Sequence, residues 1–422
     1  MSYKRKIGPQ IVNMQKQGFT YPDIKKRPYE DKIDLNSMRK KRLKKVREEL
    51  AKRDYGGCVL FDPINIRYAT DSSNMMIWTM HNPTRYCFIP TDGPVILYDF
   101  HKCEHLSEGL ITIDEIRPST NLGYFFSGDN IKEDAKKWAT EIVNVFKKYA
   151  GNNNRLAIDD CSFLATEALR SSNIELFEGQ EILEQARKIK TSEEIMCMQA
   201  ALKVAEDGIN LMKKNLKPGI SENELWSYLH KTNIENGGEW IEGRLLSAGQ
   251  RTNPWMQECS GKIIKKNELV AFDTDMIGPY AYCADVSRTF LAGNKPTTEQ
   301  NKLYSLAVEQ ITYNAEILKP GLSYSEFIQT SWKLPQIYFD NRYSCIAHGV
   351  GMADEYPAIL YPEDAKKNGY DGFFETGMTL SLESYIGETG GKEGVKLEQE
   401  YLLTEKGAEL LSNQLPNSLL IE

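Results

Sequence analysis

Apolar positions recur along this chain at helical spacing in some segments and as short continuous runs in others. Between residues 193 and 216, Ile195, Met198, Leu202, Ala205, Ile209 and Met212 fall at alternating steps of three and four, which puts them on one face of a helix. Thr191 or Ser192 can cap that helix, Glu193 and Glu194 sit near the positive end of its dipole, and Pro218-Gly219 ends it. A second helix is predicted from Ser221, again with a capping residue followed by early acids. Upstream, Leu43, Val46 and Leu50 predict a helix over 37–53, and another is predicted over 130–149. Between these lie short apolar runs at Gly57–Asp62, Tyr86–Ile89, Val95–Tyr98 and Leu156–Asp159, which predict strands. Strands alternating with helices indicate an α/β first domain. Residues 1–36 are polar and interrupted by proline, and predict an irregular arm. The boundary falls near 185–192, giving domains 1–187 and 188–422. The second, with helices followed by strand–turn–strand segments, reads as α+β.

Composition narrows the class. Hydrophobic residues make up 41% and charged residues 26% of 422 positions, enough apolar material for sizeable cores. A net charge of −7 argues against nucleic acid as a main partner. The basic run in 37–53 is read as a solvated helix face rather than a nucleic-acid or membrane patch. No run approaches ~18 consecutive apolar residues, so no membrane span is expected. The N-terminus is basic but lacks the apolar stretch of a signal peptide. Eight dispersed cysteines with no CxxC pair point to reduced thiols and a cytoplasmic protein.

The candidate chemistry is acidic. Residues 269–290 read as two strands joined by a turn at Gly278-Pro279, with Asp273 and Asp275 two apart and Asp285 on the return. Residues two apart on a strand share a face. Acids are depleted in strands, and clustered carboxylates repel and resist burial. A compensating cation is therefore expected. Arg288 is a candidate for part of it, and a divalent metal is a better one. Glu383 and Glu398 lie in further strand-like segments separated by a glycine-rich turn, and His348 stands in Ala347-His348-Gly349-Val350-Gly351. Five carboxylates and one imidazole suffice for a two-metal site. His101 and His105, four apart in the first domain, are a lesser metal candidate.

The order Asp…Asp…His…Glu…Glu resembles the pita-bread metalloenzymes, the family of methionine aminopeptidase, prolidase, Xaa-Pro aminopeptidase and creatinase. The segment Phe61-Asp62-Pro63-Ile64-Asn65-Ile66-Arg67-Tyr68 looks like part of a creatinase-type N-terminal domain, and Arg187–Ile195 like the linker that follows. The resemblance implies a creatinase-like α/β N-terminal domain ahead of a pita-bread catalytic domain. Yet Trp255, after Asn253-Pro254, stands where a family peptidase has a histidine, and the stretch after His348 contains none. The blocks around Asp273–Asp285, Asn253-Pro254-Trp255 and Tyr343–Met352, followed by Asp354-Glu355, are similar to the branch that cleaves dimethylsulfoniopropionate (DMSP). That likeness implies metal ligands Asp273, Asp275, Asp285, His348, Glu383 and Glu398, and Asp354 as general base. Trp78 and Tyr343 would be aromatic substrate contacts. It also implies two divalent ions, iron foremost with zinc, manganese or cobalt as alternatives, and a homodimer.

DMSP cleavage to dimethyl sulfide and acrylate is a β-elimination, in which a base removes a weakly acidic proton beside a carboxylate. A metal can stabilise the charge that develops there, and a close, partly desolvated carboxylate can act as base. Aromatic faces of Trp78, Trp255 and Tyr343 can hold the sulfonium. Each has a plainer reading, as a salt-bridging acid or as core. The alternatives at this level are an Xaa-Pro aminopeptidase or dipeptidase with an altered site, and a non-catalytic binding protein.

Overall fold

The computed structural model describes residues 25–416 and 418–420. It forms two compact units, one containing Asp34–Arg187 and the other Lys188–Glu422 together with Lys25–Ile33. Most of the arm expected over 1–36 lies outside the described residues. The helix after it begins at Leu35, where the Asp34 side chain accepts a hydrogen bond from the Ser37 amide.

The first unit is built on a six-stranded mixed sheet of β1 (Gly57–Leu60), β2 (Tyr86–Pro90), β3 (Ile96–Asp99), β4 (Glu115–Pro118), β5 (Arg155–Ile158) and β6 (Glu175–Glu178). Its order is β4-β3-β2-β1-β5-β6. The central strands β1, β2 and β3 are buried along their whole length, which is why they read as continuous apolar runs. The edge strands escape that pattern, β4 opening on Glu115 and β6 bounded by Glu175 and Glu178. The helix Ile131–Ala150 lays Trp138, Ile142 and Phe146 into the core with Phe88 and Leu156. The basic helix Leu35–Lys52 is not a wholly solvated face. Arg42 is fully buried beside Met38, Val46 and Leu50, and Arg39 and Arg42 both pair with Asp71, at 2.6 and 3.1 Å. Burial opposes the charge of Asp71, but Arg67, Arg42 and Arg39 together hold its carboxyl well below the usual range.

In the second unit, helix Ser192–Asn215 starts at a capping box, with Thr191 and Glu194 bonded reciprocally. Helix Glu222–Glu235 is capped by Ser221. The strands are β7 (Trp240–Ile241), β8 (Leu246–Ala248), β9 (Leu269–Asp273), β10 (Met276–Ile277), β11 (Cys283–Ala284), β12 (Ser287–Leu291), β13 (Ala347–Val350), β14 (Asp354–Ile359), β15 (Thr379–Ile386), β16 (Val395–Thr404) and β17 (Gly407–Leu410). They make three antiparallel sheets, ordered β11-β10-β7, β12-β9-β8 and β14-β13-β15-β16-β17. The helix Thr298–Ile317 packs Leu303, Ala307 and Ile311 into one core with Leu380, Leu382, Ile386 and Leu397 of the five-stranded sheet. Thr289 of β12 bonds both the carbonyl and the amide of Lys396 of β16, which brings the β9–β12 hairpin against the five-stranded sheet. No helix among the described residues is long and apolar enough to cross a membrane.

Candidate metal centre

The expected hairpin over 269–290 is present, but its strands are broken where the acids sit. β9 ends at Asp273, and Asp275 lies in the gap before β10 with φ of +37°. Asp273 and Asp275 therefore do not share a face of one continuous strand, as their spacing predicted. The register runs through the gap, with Asp273 opposite Ser287 and Met276 opposite Ala284, so Asp275 comes opposite Asp285. The Thr274 hydroxyl spans the break, donating to the Ala284 carbonyl at 2.7 Å and accepting from the Val286 amide at 3.0 Å.

The other donors are strand residues. Glu383 of β15 and Glu398 of β16 are directly opposed. His348 pairs with Ser381 of β15, immediately before a bulge at His348/Gly349. The bulge needs glycine there, because a Cβ on Gly349 would meet the Tyr356 carbonyl oxygen at 2.5 Å. His348 Nδ1 lies 3.0 Å from the Gly349 carbonyl oxygen. Its Nε2 lies 3.4 Å from Asp285, 3.6 Å from Glu383 and 3.4 Å from Glu398. With Nδ1–H donating to the carbonyl, the Nε2 lone pair is free to bind a cation.

Three overlapping groups have donor atoms within 4.8 Å of one another: Asp285, His348 and Glu398; Asp273, Glu383 and Glu398; and Asp273, Asp275 and Asp285. Together they comprise all six side chains singled out in the sequence. His101 and His105 join no such group among the described residues. Asp273 Oδ1, Asp285 Oδ1 and Glu398 Oε1 are buried and accept no hydrogen bond. Buried carboxylate oxygens aimed at one another without donors are unfavourable unless a cation joins them, so this donor set fits divalent metal ions. Burial, then neighbouring negative charge, raises Asp273 to about 6, Glu383 to about 8 and Asp275 to about 9. Glu398 goes the other way. Burial resists its charge, but Lys396 and His348 outweigh it and hold it well below the ordinary range.

The cation the sequence reading missed is Lys396. Its fully buried ammonium lies 2.9 Å from Asp273, 2.6 Å from Glu383 and 3.3 Å from Glu398, and donates to Ser287 Oγ at 2.7 Å. Arg288 does not compensate the carboxylates as expected, for its guanidinium donates to the backbone carbonyls of Ser287, Glu398 and Asn413. Strand alternation held the signal: Lys396 is two residues before Glu398, so both point to one face. Glu400, two further on, accepts from the Asp285 amide at 2.6 Å.

Asp354 opens β14, with Oδ1 3.8 Å from His348 Nδ1 and a side chain 66% exposed. The desolvation expected of it is not supplied by its own unit. Its neighbour Glu355 is buried, accepting from the Met352 amide and pairing with Lys190 at 2.6 Å. Trp255 is 8% exposed and packs with Ala271, Tyr385 and Tyr343. Tyr343 is half-buried, with Lys396 Nζ 4.5 Å from its ring centroid. Trp78 lies in the first unit, half-buried, with edge contacts to Phe100 and Phe126 at 5.4 and 6.0 Å.

Residues 42–189 match the creatinase/prolidase N-terminal domain and residues 196–405 match metallopeptidase family M24. The chain belongs to this pita-bread family of metalloenzymes, with a creatinase-type domain ahead of its M24 domain. It is 39% identical to the dimethylsulfoniopropionate lyase DddP of Roseovarius nubinhibens over 90% of this chain and 86% of that one. To the dimethylsulfoniopropionate lyase DddP of Roseobacter denitrificans it is 38% identical, over 90% and 87%. Among solved structures, the Xaa-Pro dipeptidase of Bacillus anthracis superposes with a TM-score of 0.71 at 19% identity, over 90% of this chain and 99% of that one, which establishes shared fold.

Proposed function

We propose that this chain is a metal-dependent carbon–sulfur lyase that cleaves DMSP to dimethyl sulfide and acrylate. The observation that carries the reading is 39% identity, over 90% of the chain, to a protein of that activity. The site chemistry is consistent with it. Asp273, Asp275, Asp285, His348, Glu383 and Glu398 would hold two divalent ions, for which oxygen and imidazole donors are suited; iron is the metal that the resemblance implies. Bound there, the ions supply Lewis-acid stabilisation of the negative charge that gathers at the substrate carboxylate.

The rest falls to the chain's own side chains. Asp354 takes the proton from the carbon beside the carboxylate, the electron pair left behind forms the new carbon–carbon double bond, and the carbon–sulfur bond breaks with its pair retained on sulfur. Dimethyl sulfide leaves neutral, and the proton stays on Asp354 until solvent removes it. Exposure of Asp354 suits that last exchange, while its desolvation as a base comes with the bound substrate. Tyr343, on the ring face turned from Lys396, and Trp255 and Trp78 are the proposed sulfonium contacts. Trp255 cannot exchange a proton as a peptidase histidine does, which weighs against the Xaa-Pro peptidase alternative. The proposal extends to domains 1–187 and 188–422, a homodimer and a cytoplasmic location, as the resemblance and the dispersed thiols suggest.

The test is a headspace assay for dimethyl sulfide from the metal-loaded protein given DMSP, beside turnover of X-Pro peptides. Dimethyl sulfide without peptide cleavage supports the reading. Peptide cleavage without dimethyl sulfide replaces it.

A further inference from the structure

The buried lysine is the feature that the metal-centre chemistry does not yet use. Asp273, Glu383 and Glu398 are each divided between two partners. Their Oδ2, Oε2 and Oε2 atoms face Lys396 Nζ. Of the opposite oxygens, Asp273 Oδ1 has no hydrogen-bond donor, and Glu383 Oε1 and Glu398 Oε1 face His348 Nε2 at 3.6 and 3.4 Å. The ammonium is thus held by one oxygen of each carboxylate, and each would still have an oxygen to offer a metal. It is wholly buried, flanked by the rings of Tyr343 at 4.5 Å and Trp255 at 6.0 Å, so its charge is little screened by solvent.

Charge balance gives this position a consequence. Counted over the six proposed ligand side chains, five carboxylates and two divalent ions would leave one net negative charge, which repels any ligand that arrives by its carboxylate. We propose that Lys396 is a positioning residue that cancels this charge: by bridging Asp273, Glu383 and Glu398, it makes the metal-loaded centre neutral and so receptive to a carboxylate. The choice of DMSP as that carboxylate rests on the function proposed above. The charge balance itself does not, and holds for any small aliphatic carboxylate.

The experiment compares the full-length wild type with Lys396→Met and Lys396→Arg, each loaded with metal and then desalted. Two readouts are taken: metal per chain, and binding of propionate, which has no sulfonium and cannot react. Turnover of DMSP is measured alongside. With the charge removed, Lys396→Met is expected to keep its metals, and to hold them more tightly against a chelator than wild type does. Its propionate Kd and DMSP KM should rise by on the order of tenfold or more, with kcat changed much less, and Lys396→Arg should recover most of the loss. Unchanged propionate affinity in metal-loaded Lys396→Met overturns the proposal. Loss of metal that excess metal does not restore also overturns it, since the lysine then only builds the site. A wild type that binds propionate but leaves DMSP intact would sink the lyase reading while leaving the charge balance standing. If Lys396→Met is insoluble, Lys396→Gln takes its place with the same outcomes.

Discussion

Glu383 and Glu398 face each other directly across β15 and β16, both buried to within 1% of full exclusion from solvent. A cross-strand pair of like charges destabilises a sheet, and burial adds to the cost. Lys396, 2.6 Å from Glu383 and 3.3 Å from Glu398, is what makes the pair tolerable.

Without metal, stability of the second unit should fall as pH rises. Asp273, Glu383 and Asp275 have folded pKa values raised to about 6, about 8 and about 9, against an unfolded value near about 4. The folded chain therefore binds more protons than the unfolded one, and its stability declines between about pH 4 and about pH 9. His348, also raised, acts in the same direction. Melting curves in chelator across this range should show a falling Tm, and added metal should flatten the trend. A chelated protein whose Tm rises over that window contradicts the account.

Asp354→Asn should retain both metals, because the side chain is exposed and belongs to none of the three donor groups. Its kcat for dimethyl sulfide release should fall by roughly 10²- to 10⁴-fold, the usual worth of a general base. Metal analysis with single-turnover kinetics checks both halves. Full activity in the variant removes Asp354 from the mechanism.

Lys190 and Glu355 form an ion pair whose side chains are 2% and 1% exposed, and Glu355 also bonds the Met352 amide in the turn before Asp354. Lys190→Met takes the paired cation from a buried carboxylate and should cost about 3–5 kcal/mol in denaturant unfolding. Lys190→Met with Glu355→Leu should regain most of it. Equal losses in the single and double variants would mean that the pair is not the source.

Tyr343→Leu removes an aromatic face while keeping bulk. If the ring holds a sulfonium, KM for DMSP should rise by about two- to thirty-fold, the equivalent of ~0.5–2 kcal/mol. Affinity for propionate should move far less. Parallel losses for both ligands would instead assign the ring to packing around Lys396.

Much of this protein was legible in its sequence. Helical spacing gave the helix at Ser192–Asn215, the helical stretch read at 130–149 is Ile131–Ala150, and short continuous apolar runs gave the strands β1, β2, β3 and β5, because buried strands are apolar on both faces. The edge strands β4 and β6 stayed hidden, since short half-exposed strands need few apolar residues. The six acidic and imidazole side chains stood out because acids are costly in apolar strands and announce themselves there. What the tertiary structure alone decided is how their charge is balanced. Cross-strand register put Glu383 opposite Glu398 and Asp275 opposite Asp285, and the fold turned Arg288 to backbone carbonyls while placing Lys396 among the carboxylates. Sequence fixes which side chains alternate along one strand. Which cation meets which carboxylate depends on the packing of one sheet on another, and that pairing is non-local.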